Sequence, residues 1–284
     1  MNYSELFRVE PGSQVKLDRI DPDFVPKNKN KASAQAELEK YSQKLRSLQY
    51  LLYAEDKRSL LICLQGLDTA GKDGTINHVL GCMNPQGTRV HSFKVPSREE
   101  AAHDFLWRIE QQTPARGEVV IFNRSHYEDV LVVRVHNLVP KKVWSDRYAL
   151  INAFEEGLVA NGTHILKFFL HISEDEQLRR FKQRIDDPAR QWKISESDYG
   201  ERKFWKNHQK AYEDALAKTS TKHASWFIIP ANHKWFRNLA VSHIVSETLE
   251  SLKMRFPEST VNLKDIKRKY HTAKREEEEG KATP

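Results

Sequence analysis

Apolar and polar positions follow two rhythms along the chain. Between residues 33 and 56, Leu38, Tyr41, Leu45, Leu48 and Leu52 recur three or four residues apart. That spacing gathers them on one face and predicts a helix with Ser33 as its cap. From Leu60 the rhythm changes. Short apolar runs at Leu60–Leu64, Arg89–Phe93, Val119–Phe122, His164–Ile172 and Trp226–Ile229 read as strands. Between them, stretches near 72–83, 97–112, 125–135, 145–160, 174–186, 197–218 and 235–255 read as helices. Strands alternating with helices predict an α/β fold with a mainly parallel sheet flanked by helices. Such sheets bind ligands at the carboxyl ends of their strands, so chemistry is sought there.

The flanks read differently. Residues 1–32 carry Pro11, Pro22 and Pro26 among Asp and Lys, which predicts an extended arm rather than a packed element. Residues 33–255 are the expected globular domain. Residues 256–284, with the run Glu276–Glu279, predict a charged tail in the form of a solvated helix. No internal repeat is visible.

Composition narrows the partners. The chain has 284 residues, and 46 Lys+Arg against 39 Asp+Glu give a net charge of +7. A basic surplus fits an anionic partner: nucleic acid, a phosphate polymer, a nucleotide or a membrane surface. Two cysteines exclude a disulfide framework and a cysteine zinc site, and Cys63 and Cys82 read as buried, inert thiols. The opening residues lack the apolar core of a signal peptide. No apolar run reaches the ~20 residues that span a bilayer, so a cytoplasmic protein without a membrane partner is expected. The 12 histidines show no metal-site spacing. No zinc finger, recognition helix or aromatic stacking platform speaks for nucleic acid.

The strongest chemical signal follows the first strand. Gly66-Leu67-Asp68-Thr69-Ala70-Gly71-Lys72-Asp73-Gly74 fits the glycine-to-glycine-lysine spacing of a phosphate loop, between a strand and a helix as that motif requires. Glycines let backbone N–H groups turn around phosphate oxygens, the helix N-terminus adds partial positive charge, and Lys72 adds a full one. Asp73 stands where Ser or Thr normally reaches Mg²⁺, so the metal site must differ from that of ordinary phosphate-loop enzymes. Asp68, a hard oxygen ligand inside the loop, is the expected Mg²⁺ ligand. Asp73 is expected to cap the following helix.

Two further segments extend the site. The strand Val119–Phe122 ends in Asn123-Arg124-Ser125-His126-Tyr127-Glu128-Asp129. Asn123 could hold a metal-bound water, and Arg124 would neutralise charge on a transferring phosphoryl group. After His164–Ile172, Ser173-Glu174-Asp175-Glu176 forms a capping box. In the helix it opens, Leu178, Phe181 and Ile185 are the expected apolar face. Arg180 and Arg184 share the other face, solvated and mobile, as arginines of a lid spanning about 173–205. Lys193 follows in that lid, and Lys94 lies past the end of the second strand.

Together, the segments Gly66–Gly74, Phe122–Val130 and Arg180–Lys193 resemble the polyphosphate kinase 2 family over roughly residues 15–255. The resemblance implies a thymidylate-kinase-like phosphate-loop fold with a helical lid. It implies Mg²⁺-dependent phosphoryl transfer between inorganic polyphosphate and adenine nucleotides, with the wording at 126–129 resembling the branch that accepts both AMP and ADP. Carried over by position, Asp68 and Lys72 are the loop's catalytic pair and Arg124 clamps phosphate. Arg180 and Arg184 are lid residues. A homo-oligomer, dimer or tetramer, is also implied. The alternative reading is an ATP-dependent nucleoside or nucleoside-monophosphate kinase, which shares the fold, loop and lid.

Overall fold

The computed structural model describes residues 1–281. In chain order, α1 (Tyr3–Phe7) and α2 (Lys31–Glu55) precede β1 (Ser59–Gln65). Next come α3 (Lys72–Thr75), which widens into a π turn at Ile76–Leu80, and β2 (Thr88–Ser92). Then follow α4 (Trp107–Glu110), β3 (Val119–Asn123), α5 (Val132–Val135), α6 (Lys141–Ala160) and β4 (Thr163–His171). After them come α7 (Glu174–Asp186), α8 (Glu196–Arg202), α9 (Trp205–Thr219), β5 (Trp226–Pro230), α10 (Lys234–Ser251) and α11 (Leu263–Lys281). All strand pairings are parallel, in the order β2-β3-β1-β4-β5.

Side chains alternate across a strand, so β1 feeds two cores. Leu60, Ile62 and Leu64 join α2 and α10 on one face, against Phe168, Leu170 and Ile229. Leu61 and Cys63 face the other way with Val120, Phe122 and Ile165, where Phe154 and Leu158 of α6 also pack. Every residue of β1 is buried, as expected of a parallel strand covered by helices on both sides. The helix read from 33 starts earlier than expected. Asn30 is its N-cap, and Ser33 completes a capping box at the third helical position.

The expectation of an extended arm at residues 1–32 is corrected. Tyr3, Phe7, Val9, Val15 and Leu17 are buried. Tyr3 and Phe7 meet Phe236 edge-on, at 5.7 and 6.0 Å between ring centroids. The Val9 amide donates to the Trp226 carbonyl at 2.8 Å, and Arg8 bridges Phe227 antiparallel. The prolines punctuate this segment, but its scattered apolar residues seal the edge of β5, whose backbone would otherwise be open to another chain.

Two expected helices are broken. Residues 97–112 contain a single 3₁₀ turn at Glu100–Ala102, then extended backbone at His103, then α4. Residues 125–135 hold a 3₁₀ turn, His126–Asp129, before α5. Residues 255–284 separate as a second unit, in which the described element is α11. The last three residues of the expected tail, 282–284, lie outside the described residues. Among the described residues, no helix is long and apolar enough to cross a membrane.

Candidate active site

Strand pairing brings the first two motifs together. β1 and β3 are neighbours with Leu64 opposite Asn123, and the Arg124 amide donates to the Leu64 carbonyl at 3.1 Å. The turn after β3 therefore opens beside the loop after β1. Arg124 itself adopts φ 64°, a left-handed conformation rare for a branched or long side chain. Buried neighbours hold it there. Tyr127 and His126 meet Glu155 at 2.8 and 3.1 Å, and Lys167 donates to the Tyr127 hydroxyl at 2.9 Å and the Thr219 carbonyl at 2.7 Å. Lys167 and Glu155 form an ion pair sealed from solvent. His126 and Tyr127 are thus anchors of the turn, packed in the core rather than facing a ligand.

The loop's carbonyls are all engaged from Gly66 to Gly71. Lys72 Nζ donates to those of Gly66 and Leu67 at 2.7 and 3.4 Å. Gln177 donates to Asp68 at 3.1 Å, and Arg180 to Thr69 and Ala70 at 2.7 and 3.0 Å. The Thr75 amide donates to Gly71 at 2.9 Å. In a trans peptide the N–H points opposite to the C=O. The peptides Asp68–Thr69 and Ala70–Gly71 therefore present their N–H groups away from α7, toward the face where an anion would dock. The Thr69 hydroxyl is buried without a hydrogen-bond partner among the described residues, a polar group that a ligand oxygen would satisfy.

Charge converges on the loop. Arg124 Nη2 meets Asp68 Oδ1 at 3.2 Å. Asn123 donates to Asp73 Oδ1 at 2.9 Å, and Lys193 Nζ lies 3.8 Å from Asp73 Oδ2. Asp73 therefore ties the loop to β3 and the lid segment. It does not cap α3, whose N-cap is Gly71, so that expectation is corrected. Burial, and then the positive charge of Arg124, push the Lys72 ammonium below its ordinary pKa. For Arg124, burial works against the charge, but Glu128 and Asp68 outweigh it and raise the guanidinium above its usual value.

The lid residues are placed differently from expectation. Arg180 is buried, not solvated, and beyond the loop it reaches the carbonyls of Ala231 and Asn232 and the carboxylate of Glu176. Leu178 and Ile185 are each 47% exposed, so the expected apolar face holds only at Phe181. The inward face of α7 is Glu176, Gln177, Arg180 and Phe181 because much of what it covers is loop backbone, which needs hydrogen-bond donors. Arg184 donates to the Lys193 carbonyl at 2.8 Å and lies 3.8 Å from Asp198, so it ties lid segments to each other. Lys94 lies exposed beyond β2, two strands from the loop, with its carbonyl held by Arg108 at 2.9 Å.

Sequence reasoning missed Arg237 and Tyr212. Arg237, on α10, is 2% exposed and lies behind the loop, 3.4 Å from the Ala70 carbonyl. Burial and the nearby Arg180 bring its pKa down to about 9. Lys234 is lowered by burial and then by Arg180, Arg190 and Arg237. Tyr212, buried on α9, contacts the Gly66 backbone; burial and then Glu128 push its phenol well above the usual value. No local pattern marks Arg237 or Tyr212, which come from helices far along the chain, whereas Glu128 stands within the second motif itself.

A lysine inside a glycine loop, with an arginine delivered beside it by the paired strand, places the fold among the phosphate-loop kinases, and the chain is a phosphotransferase. The family model described as Polyphosphate kinase 2 matches residues 28–257. An AMP/ADP-polyphosphate phosphotransferase of Meiothermus ruber is 51% identical over 253 residues, 89% of this chain and 95% of that one. An ADP-polyphosphate phosphotransferase of Rhodopseudomonas palustris is 45% identical, over 89% of this chain and 92% of its own. The crystal structure of polyphosphate kinase 2 from Arthrobacter aurescens TC1 superposes with a TM-score of 0.93 at 41% identity, covering 96% of this chain and 97% of that one. This chain belongs to the polyphosphate kinase 2 family, as its motifs led one to expect.

Proposed function

We propose that the protein transfers a phosphoryl group between inorganic polyphosphate and adenine nucleotides, AMP to ADP and ADP to ATP, with Mg²⁺. The observation that carries this reading is the convergence of Asp68, Lys72 and Arg124 on one loop whose Asp68, Thr69 and Ala70 carbonyls are taken up by α7 behind it. Lys72 and Arg124 are cations close enough for one to depress the other, an arrangement that a bound anion relieves. Polyphosphate is such an anion along its whole length. The exposed Lys193, beside Asp73, supports a path for the polyphosphate chain past the docking face of the loop, with Lys94 further out beyond β2.

The donor set suits Mg²⁺. The Asp68 and Asp73 side chains, 30% and 63% exposed, offer hard carboxylate oxygens without nitrogen or sulfur. Mg²⁺ is commonly held by one or two carboxylates plus substrate phosphates. Asp68 would hold it, Asp73 stands within the same loop, and Asn123 would orient a bound water. When bound, the ion offsets negative charge between the two phosphate groups.

The chain's own residues do the positioning. Lys72 exchanges its carbonyl contacts for phosphate oxygens. Arg124 swings between Asp68 and the transferring group, and the N–H groups of Thr69 and Gly71 hold its oxygens. Arg180 and Gln177 fix the loop from behind, and Arg184 holds the lid segments together. No covalent intermediate on the protein is needed. We place this reaction in the cytoplasm, which keeps free thiols such as Cys63 and Cys82 reduced. We also propose a homo-oligomer, dimer or tetramer; Val143 and Leu150, exposed seven residues apart on α6, support it.

Incubation with Mg²⁺, polyphosphate and ADP should yield ATP, and replacing ADP with AMP should yield ADP. Product only when ATP is supplied as donor would overturn the reading.

A further inference from the structure

Outside the loop, on the side of Arg124 where the charge of Glu201 is felt, three side chains from three elements converge. His136 follows α5, Glu201 lies on α8 in the lid segment, and His208 lies on α9. The Nε2 atoms of both histidines lie 3.1 Å from the same carboxylate oxygen of Glu201. All three donor atoms fall within 4.8 Å of one another. We propose that His136, Glu201 and His208 form a binding site for a divalent transition-metal ion of the zinc class, joining α8 to α5 and α9.

The geometry is close to what such an ion needs. Zinc bonds of about 2.0–2.2 Å at tetrahedral angles set donors ~3.3 Å apart, so small shifts suffice. His208 is nearly buried and the His136 ring packs edge-on to Phe204 at 5.0 Å, which fixes two ligands. The Glu201 side chain is 38% exposed and opens the group to solvent, giving an entry path and room for a fourth, water ligand. Ligand chemistry separates this site from the loop. Two imidazoles and one carboxylate suit Zn²⁺, Co²⁺ or Ni²⁺, whereas Mg²⁺ prefers oxygen alone. The ligands are far apart in the chain, which is why their spacing gave no motif.

Co²⁺ is the probe, because its visible absorption reports coordination number. Titration of the full-length protein in Mg²⁺-containing buffer should give intense tetrahedral-type bands saturating at one ion per chain. Zn²⁺ should bleach them by competition. His136→Ala should abolish the bands, and Glu201→Gln, which keeps the hydrogen bonds and so the fold, should weaken Co²⁺ affinity at least about tenfold. Circular dichroism confirms that both variants are folded. Absence of the bands in the wild type, or equal bands and affinity in both folded variants, would overturn the proposal.

Discussion

The guanidinium of Arg237 occupies the space that a side chain on Gly71 would need. Gly71 also has φ 105°, in the region that favours glycine. The second glycine of the loop therefore answers to a buried arginine behind it as well as to its own backbone conformation. The charge of Arg237 is met by the Asn238 side-chain oxygen at 2.8 Å, and its ionic neighbour Arg180 is repulsive.

Arg237 should cost stability and support activity. Its folded pKa, about 9, lies well below the ordinary value of a guanidinium. For a base shifted down, the penalty is fully present below the folded pKa and is relieved as pH rises toward the unfolded value. Arg237→Met should stabilise the protein at pH 7 by roughly 1–4 kcal/mol, and its advantage should narrow above pH 9. Turnover should fall at least about tenfold, since the field behind the loop is weakened. Denaturant unfolding at neutral and alkaline pH, beside steady-state rates, checks this. A less stable Met variant would show that the bonds to Asn238 and Ala70 outweigh the burial of charge.

Loss of the loop's own charges should act on chemistry. Lys72→Ala removes one donor to two carbonyls, so stability should change by only about 1 kcal/mol. Turnover should drop roughly a hundredfold or more. Asp68→Asn keeps the shape but removes the carboxylate that meets Arg124, and its rate should require more Mg²⁺ or vanish. An Mg²⁺ titration and rate equal to wild type would take Asp68 out of the metal site.

The lid arginines should not behave alike. Arg180→Ala strips donors from four backbone carbonyls and removes one of the two arginines that meet Glu176, leaving Arg179, which should cost roughly 3–5 kcal/mol, mostly from the carbonyls. Lys193 is more exposed, so Lys193→Ala should stay within ~0.5 kcal/mol in stability. It should raise the KM for polyphosphate and flatten its dependence on salt. Arg184→Ala should leave the loop intact and lower the rate through a loosened lid. Melting curves and polyphosphate saturation curves at two ionic strengths separate the three; an Arg180→Ala protein that melts like wild type would refute the clamp.

The sealed pair Lys167–Glu155 predicts strong coupling. Lys167→Met leaves a buried carboxylate and should cost roughly 3–5 kcal/mol, and adding Glu155→Gln should recover part of it. A double-mutant cycle in urea measures the coupling. Additive losses would mean that Glu155 is held by His126 and Tyr127 without help from the lysine.

What the chain's pattern disclosed, and what it hid, has a physical dividing line. Five strands were legible to within a residue or so at each end, four of them because parallel strands buried on both faces are largely apolar runs; β2, at the sheet edge, is only partly buried and mixes polar with apolar residues. The loop's glycine and lysine spacing and the position of Arg124 at a strand end were legible because both are patterns among neighbours in sequence, which parallel pairing of β1 and β3 then brings together. Arg180 was misread because an arginine four residues from another looks like a solvated face, and the carbonyls it serves lie on distant segments. Arg237 and Tyr212 gave no signal for the same reason. The helix read at 125–135 failed because the turn must first hold Arg124 left-handed and bury His126 and Tyr127. The opening residues failed because prolines outweighed Tyr3, Phe7 and Val9 in the reading, whereas in the fold their burial decides.

That last feature bears on how the protein is made. Val9 is synthesised long before Trp226, the residue whose carbonyl receives its amide. Until β5 leaves the ribosome, the opening segment has no sheet edge to dock on and its aromatic side chains stay exposed, which makes it a natural client for chaperones. The loop waits as well, since the backbone groups of Ala231 and Asn232 that complete the setting of Arg180 come later still. A nascent chain halted before β5 would carry every residue of the phosphate-loop motif without the backbone that sets Arg180 behind it.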